Sequence, residues 1–512
     1  MAEPLPFSVP PLPWHALVEA SARRRPEKSA AIFDDRPISY RALWERALRV
    51  AGGLRGLGLR KGDRVCLGLY NRPEFIEGMI AASWLGAIAA PLNPSYKAEE
   101  CHHQLQDSGA TIAILEPRTW AEVRRIRERL SELRTVVVVG EPTEGALGVS
   151  ALDGEPPQAV EVNPEDLLVL LYSSGTTGRP KGVMLTHRNL LASHLQYIHA
   201  GRVTDQDVSL LFVPVCHVYG LNLMGGALVA GATQILLPGY DLEQCLAFTE
   251  RYGVTLFYAT TSVLLDLCRY PKLHEFNLSS IRYINSGGAP LPPEVAAKVE
   301  KLARIRVANG YGMTEAPISG SRVPGEERRV VNPETGRPCA PGEPGEIVIR
   351  GPHVMKGYWR DPALTGEALQ EGWLHTGDLG VLDAEGRLTI LSRKKEMIKY
   401  KGFAVSPLEL EGVLLEHPAV ADCAVVAKPH PEAGEIPKAF VVLAPGARAR
   451  AEELMAFVRG RVAEYKRIRE VGFVSEIPRN HAGKILKTRL EALAREDSLT
   501  GTPPDHNGIL GS

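Results

Sequence analysis

Paired cysteines are the first thing this chain lacks. Its seven cysteines, at 66, 101, 216, 245, 268, 339 and 423, are odd in number, include no Cys-x-x-Cys pair and have no nearby histidine spacing suited to zinc. A disulfide framework and a zinc finger are both excluded, and the thiols read as reduced core residues. Excess charge is lacking too: 59 basic against 60 acidic residues leave a net charge of −1, so nothing pulls the whole chain onto nucleic acid or anionic lipid. Long apolar runs are missing as well. The longest weakly polar stretch, "MIAASWLGAIAAPL" from Met79 to Leu92, falls short of the ~20 residues of a spanning helix and ends in proline, so it reads as a core helix. The N-terminus "MAEPLPFSVPPLPW" has an acid, several prolines and no basic region, which argues against an export signal. A cytoplasmic protein with no membrane span and no nucleic-acid partner is expected.

What is present is length and rhythm. At 512 residues the chain exceeds one core, and ~150 residues per domain suggests about three units. Helical periods alternate with short β-rich runs: "YRALWERALRVAGGLRGLG", "DRVCLGLY", "PEFIEGMIAASWLGAIAAPLN", "ATIAIL", then "VSLLFVPV", "ATQILLPG", "LEQCLAFTERYG", "VTLFYAT" and "RYINSGGAPL". This is α/β punctuation and implies parallel sheets covered by helices. From about 325 to 392 the texture turns to Gly, Pro and short strands, a small β unit. After "SRKKEMIKYKG" an α+β signal returns, ending in the helical "AEELMAFVRGRVAEYK". The expected division is a large N-terminal domain of stacked α/β sheets over 1–392, which includes the β unit, a small mobile α+β domain over 393–500, and a disordered tail over 501–512.

The stretch "LLYSSGTTGRPKGVMLTH" from Leu170 to His187 breaks an apolar run with small residues and a lysine. Six residues without bulk, Ser173 to Gly178, free backbone amides and hydroxyls to close on an oxyanion such as phosphate. It is not a Walker loop, because its glycines and Lys181 stand in another order and Gly182 occupies the Ser/Thr position. In order after it come "PVCHVYGL", "SGGAPL", "NGYGMTEA", "HTGDLG", "LSRKKEMIKYKGFAVSPLELE" and "IPRNHAGKILK". Together these motifs resemble the acyl-adenylate-forming (AMP-dependent) synthetases, and are most similar to those of fatty-acyl-CoA synthetases and 4-coumarate-CoA ligase-like enzymes.

The resemblance implies a two-step reaction. A carboxylate attacks the α-phosphorus of ATP to give acyl-adenylate and pyrophosphate, and the thiol of coenzyme A then displaces AMP. The protein's task is positioning and charge neutralisation. By resemblance, Ser173, Ser174, Gly175, Thr176 and Thr177, with Lys181, cradle the β and γ phosphates. Gly288 and Ala289 of "SGGAPL", with Asn309 and Gly310, edge the adenine, against which the ring of Tyr311 lies. Thr314 bonds the α-phosphate and Glu315 holds Mg²⁺. Asp378 accepts from the ribose hydroxyls, with Arg393 beside it on sugar and phosphate. His217 lines the channel where carboxylate meets phosphate, and Tyr219 and Leu223 wall the acyl pocket. Lys395 is the hinge, Lys399 the lysine of the thioester step, Lys401 and Gly402 approach coenzyme A, and Lys484 is the adenylation lysine. Two catalytic lysines in one small domain imply that it rotates to present each in turn.

The pocket motifs are uncharged and offer nothing to hold a substrate amine. The expected activity is therefore an ATP- and Mg²⁺-dependent ligase joining a small fatty or aryl carboxylic acid to coenzyme A, with a homodimer among the compatible assemblies. The alternatives are an enzyme loading a carrier protein and a nucleotide-binding relative of reduced activity. Between "MTEAPISG" and "VVNPETGRP" this chain has only "SRVPGEERR", where most relatives carry a longer connection. Either a more open acyl pocket or a weaker local fold is expected there.

Overall fold

Two sheets organise the N-terminal part. The computed structural model describes residues 8–173, 180–320, 323–480 and 483–500, the last four of these by backbone alone. Of the expected phosphate cradle, Ser174, Gly175, Thr176 and Thr177 lie outside the described residues, as does the 501–512 tail. One sheet has eight strands, its centre formed by Leu167–Ser173, Ile88–Pro91, Arg64–Gly68 and Ile112–Leu115. The other has seven, in the order Val307–Asn309, Tyr283–Ser286, Leu256–Ala259, Val208–Leu211, Thr233–Leu236, Ser29–Phe33 and Arg36–Ser39. Most central strands are apolar and buried along their whole length, as parallel strands covered on both faces must be. The α/β reading therefore holds.

One expected element does not survive. Met79–Leu92 is no single core helix: the helix Pro73–Leu85 stops, and Ile88–Pro91 is a strand between Arg64–Gly68 and Leu167–Ser173. Gly86 makes the break, with φ 64° and ψ 21° and its N–H returning to the carbonyls of Ala82 and Ser83. A left-handed glycine ends a helix at little steric cost. Similarly, the helix read through "AEELMAFVRGRVAEYK" covers only Ala451–Arg459 and ends at Gly460.

The β unit is an antiparallel sheet of Glu327–Val331, Gly345–Arg350, Trp373–Leu382 and Leu369–Gln370, with Leu388–Arg393 also on Trp373–Leu382. It is not wholly separate, because Gly357–Tyr358 leaves it to pair with Lys181–Thr186 of the eight-stranded sheet. A last sheet of Phe403–Val405, Ile398–Tyr400, Gly434–Leu443, Val420–His430 and Glu470–Phe473 has its own buried core. All seven cysteines are unpaired, and four of them are buried. Among the described residues no helix is long and apolar enough to cross a membrane.

The helices His187–Gly201 and Val218–Ala230 pack unusually closely. A Cβ on Gly225 would lie 2.2 Å from the His194 ring, and one on Gly226 would lie 2.3 Å from that of Tyr197. His194 accepts from Trp14 Nε1 at 3.1 Å, and burial drives its pKa down to about 3, so it stays neutral.

A buried acid creates a pH dependence. Glu77, 7 % exposed, meets Arg46 only at 3.5 Å, and burial, reinforced by the charge of Glu74, pushes its pKa from 4.5 up to about 7. A carboxyl held protonated in the fold contributes stability that is complete below 4.5 and is lost as pH rises to 7. The gap corresponds to roughly 3 kcal/mol. Glu77→Gln is thus expected to stabilise the protein by about 2–3 kcal/mol at pH 7.5 and by almost nothing at pH 4.5. Urea unfolding of both proteins at the two pH values checks this, and an equal effect at both would contradict it.

Candidate active site

The strands Val208–Leu211, Leu256–Ala259, Tyr283–Ser286 and Val307–Asn309 run parallel as neighbours. Their carboxyl ends therefore deliver the segments 212–217, 260–262, 286–289 and 310–315 to one edge, where open α/β sheets bind ligands. Three of the sequence motifs converge here because of this topology.

His217 is the N-cap of Val218–Ala230, its Nδ1 accepting from Tyr219 N at 3.4 Å. Burial, with Lys484 nearby, lowers its pKa to about 4, so the imidazole is neutral. Leu223, one turn beyond Tyr219, is buried. The Tyr219 hydroxyl donates to the carbonyl and the Oδ1 of Asn285, both at 3.1 Å, and its ring covers Gly287, where a Cβ would lie 3.0 Å from Cζ. Hence the first glycine of "SGGAPL" makes room for Tyr219, a protein side chain. The second, Gly288, takes φ +77° beside Ala289, with open space where its side chain would be. Gly310 follows Asn309 and donates to Ser286 O at 2.7 Å, tying the two strand ends together.

Asp378 and Arg393 stand opposite each other on the paired strands Trp373–Leu382 and Leu388–Arg393, and Arg393 Nε lies 3.1 Å from Asp378 Oδ1. This is the strand-turn-strand arrangement that fifteen residues of separation allow. Tyr311 donates its hydroxyl to Asp378 Oδ2 at 2.7 Å. Burial outweighs these partners and holds the Asp378 carboxyl above its ordinary value. Thr314 and Glu315 are buried, and Tyr358 donates to Glu315 Oε1 at 2.8 Å. Lys181 Nζ sits 5.8 Å from the centre of the Tyr358 ring, a cation–π contact. Ser173 and Lys181 face each other across the hairpin of Leu167–Ser173 and Lys181–Thr186.

Lys484 reaches this site from the far end of the chain. Asn480 exchanges two hydrogen bonds with its backbone, each 2.9 Å, and Arg479 braces the turn through Gly483 O and Asp422. Gly483, at φ +78°, lies against Thr260 and Ser262, whose hydroxyls would be 3.1 and 3.2 Å from a Cβ there. Burial lowers the Lys484 pKa, Arg393 adds repulsion, and Glu396, Asp378 and Glu315 oppose the shift. The small domain thus brings one cation, beside its own Glu396, toward Asp378 and Glu315 of the large one.

Lys399 is not brought to the site. It is exposed on Ile398–Tyr400, its backbone N–H donating to Glu435 at 2.8 Å. Lys401 and Gly402, φ +47° and +83°, form the two-residue turn into Phe403–Val405, a hairpin geometry that needs positive φ at both positions. Lys395 is exposed in the turn after Arg393. Tyr358, Glu396 and Asn480 escaped the sequence reading. For Tyr358 the signal was present in "MKGYWRDP", an aromatic pair after a glycine outside the motifs considered.

The chain matches the AMP-binding enzyme family over residues 18–359 and the AMP-binding enzyme C-terminal domain over 409–484. It is a member of the AMP-binding enzyme family. A 4-coumarate–CoA ligase of Humulus lupulus is 37% identical over 500 residues, covering 90% of this chain and 91% of that protein. One from Solanum tuberosum is 37% identical over 488 residues, covering 90% and 89%. Among solved structures, the anthranilate CoA ligase AuaEII in complex with anthranoyl-AMP superposes with a TM-score of 0.90 at 27% identity, covering 96% of this chain and 99% of that one. A benzoate CoA ligase from Burkholderia xenovorans LB400 gives 0.87 at 26%, covering 94% and 100%.

Proposed function

We propose that this member of the AMP-binding enzyme family is an ATP-dependent carboxylate–CoA ligase that activates an aryl acid as its adenylate and passes the acyl group to coenzyme A. The seating of the Lys484 turn at this edge, with Gly483 against Thr260 and Ser262 and the lysine within electrostatic reach of Asp378, Glu315, Arg393 and His217, carries the reading. A carboxylate attacking the α-phosphorus brings two anions together, and a cation fixed between them stabilises the charge that develops. The acid oxygen bonds to phosphorus, the bond to the pyrophosphate oxygen breaks, and pyrophosphate leaves. Neutral His217 borders that path, and Thr314 bonds the α-phosphate.

Asp378 and Arg393 hold the ribose. Tyr311, Gly288, Ala289, Asn309 and Gly310 bound the adenine, while Ser173 and Lys181 flank the departing phosphates. Glu315 suits Mg²⁺, which is normally held by one or two carboxylates together with substrate phosphates, and among the described residues there is no cluster of three ligating side chains to suggest another mode. When bound, the ion would neutralise phosphate charge. In the second half-reaction the thiol attacks the acyl carbon and AMP leaves. Lys399, Lys401 and Gly402 serve that step after the domain 393–500 turns about Lys395. The reading keeps the chain in the cytoplasm.

Two considerations favour an aryl acid. The curated relatives are 4-coumarate–CoA ligases and two solved neighbours are named for anthranilate and benzoate. Tyr219 and Leu223 offer an aromatic and an aliphatic wall. An amino acid would leave its ammonium unpaired there, a penalty of several kcal/mol. Aryl acids are therefore expected to exceed amino acids by at least ~10² in kcat/KM. Acid-dependent exchange of pyrophosphate into ATP, run over aryl, medium-chain and amino acids, tests this. Exchange with an amino acid alone would sink it.

A further inference from the structure

A buried polar cluster joins the helix His187–Gly201 to the segment 319–328, and no step above uses it. The Glu326 side chain is fully buried, its Oε1 accepting from Ser319 Oγ at 2.9 Å and Gly320 N at 3.4 Å, with Arg328 Nε at 3.0 Å. His353 Nε2 is 3.1 Å from Glu326 Oε2. Gln196, on the helix His187–Gly201, donates to Pro324 O at 2.9 Å and lies 3.2 Å from His353 Nδ1.

Stability is a poor account of this cluster. Desolvating a carboxylate, a guanidinium, an imidazole and an amide is unfavourable beside an apolar filling of equal volume. Here Gln196 Oε1 and Arg328 Nη1 are moreover buried without a hydrogen-bond partner, as are Glu326 Oε2 and His353 Nε2 in spite of their 3.1 Å approach. What such a cluster can supply is a fixed geometry, since breaking any one bond strands the others.

The geometry it fixes bears on the acid. Ser319 ends the strand Ala316–Ser319, which follows directly on Thr314 and Glu315 and stands opposite Tyr311 in register. Gln196 belongs to the helix whose His194 and Tyr197 press on Gly225 and Gly226, and so sets the helix bearing Tyr219 and Leu223. We propose that Glu326 is a positioning residue for the acid pocket, clamping the Ala316–Ser319 strand at a set distance from the helix pair that carries Tyr219 and Leu223. The claim rests on the reading of those two residues as the pocket wall. It also gives the short "SRVPGEERR" connection a role, because Glu326 closes it from within.

The test is pyrophosphate exchange with a good aryl acid, titrating acid and ATP separately, for wild type, Glu326→Gln and Ser319→Ala. Glu326→Gln keeps the shape and loses the charge; a displaced wall should raise the KM for acid by ~10-fold or more and change the order of preferred acids, while the KM for ATP stays within ~2-fold. Ser319→Ala removes one donor and should move the acid KM the same way by ~3-fold in a protein that still folds. Unchanged acid KM in both variants, or acid and ATP KM rising together, overturns the proposal. If Glu326→Gln does not fold, Ser319→Ala decides by the same criteria. Wild type inert with every acid means that the ligase reading itself fails and this claim with it, whereas an active wild type with unmoved variants overturns only the positioning role.

Discussion

Lys484→Ala is expected to lower pyrophosphate exchange by ~10²–10³ while leaving the conversion of supplied acyl-adenylate and coenzyme A to thioester nearly intact, as loss of one charge-stabilising group does. Lys399→Ala is expected to do the reverse. The physical basis is the unequal placement of the two lysines. Lys484 is held in a turn by Asn480 and Arg479, near Asp378 and Glu315 of the large domain, whereas Lys399 is exposed on a strand of the small domain. Both can act only if the small domain turns between half-reactions. Exchange measures the first half, and consumption of coenzyme A from synthetic acyl-adenylate measures the second. Equal damage to both halves by either substitution would mean that the lysines share one fixed site.

Asp378→Asn is expected to raise the KM for ATP by ~10² or more with little change in the KM for acid. Each carboxylate oxygen can accept more than one hydrogen bond. Tyr311 and Arg393 use one place on each oxygen, so capacity remains for two ribose hydroxyls. The amide replaces one acceptor with a donor and leaves Arg393 without its counter-charge. Steady-state titration of ATP at saturating acid reads the effect, and a selective rise in the acid KM would remove Asp378 from the nucleotide site.

Much of this arrangement is legible in the sequence. Motifs on loops stand out as strings of small residues, and Asp378 and Arg393 are paired by the family resemblance, with a spacing that leaves room for a strand, a turn and a strand. Other features depend on partners distant in sequence. Met79–Leu92 looks like one apolar helix until Gly86 adopts the left-handed conformation and Ile88–Pro91 finds two parallel neighbours. Gly357–Tyr358 gives no local sign that it will leave the β unit for the strand Lys181–Thr186. In "SGGAPL" the resemblance implies an edge for adenine, whereas the group for which Gly287 makes room is Tyr219, and Gly288 faces open space. Nothing local to "SRVPGEERR" marks Glu326 as buried; its place beside Ser319, Arg328 and His353 comes from residues elsewhere in the fold. Burial of that kind is decided by tertiary packing, which no short window of sequence contains.

The central claim is the chemistry at phosphorus, and the nucleotide product tests it most directly. Incubation with ATP, Mg²⁺, coenzyme A and a panel of aryl acids, followed by chromatographic quantitation, should yield AMP, pyrophosphate and acyl-CoA thioester in equal amounts, with no AMP when acid is omitted. Formation of ADP and phosphate, or of AMP without thioester in the presence of coenzyme A, would contradict the account.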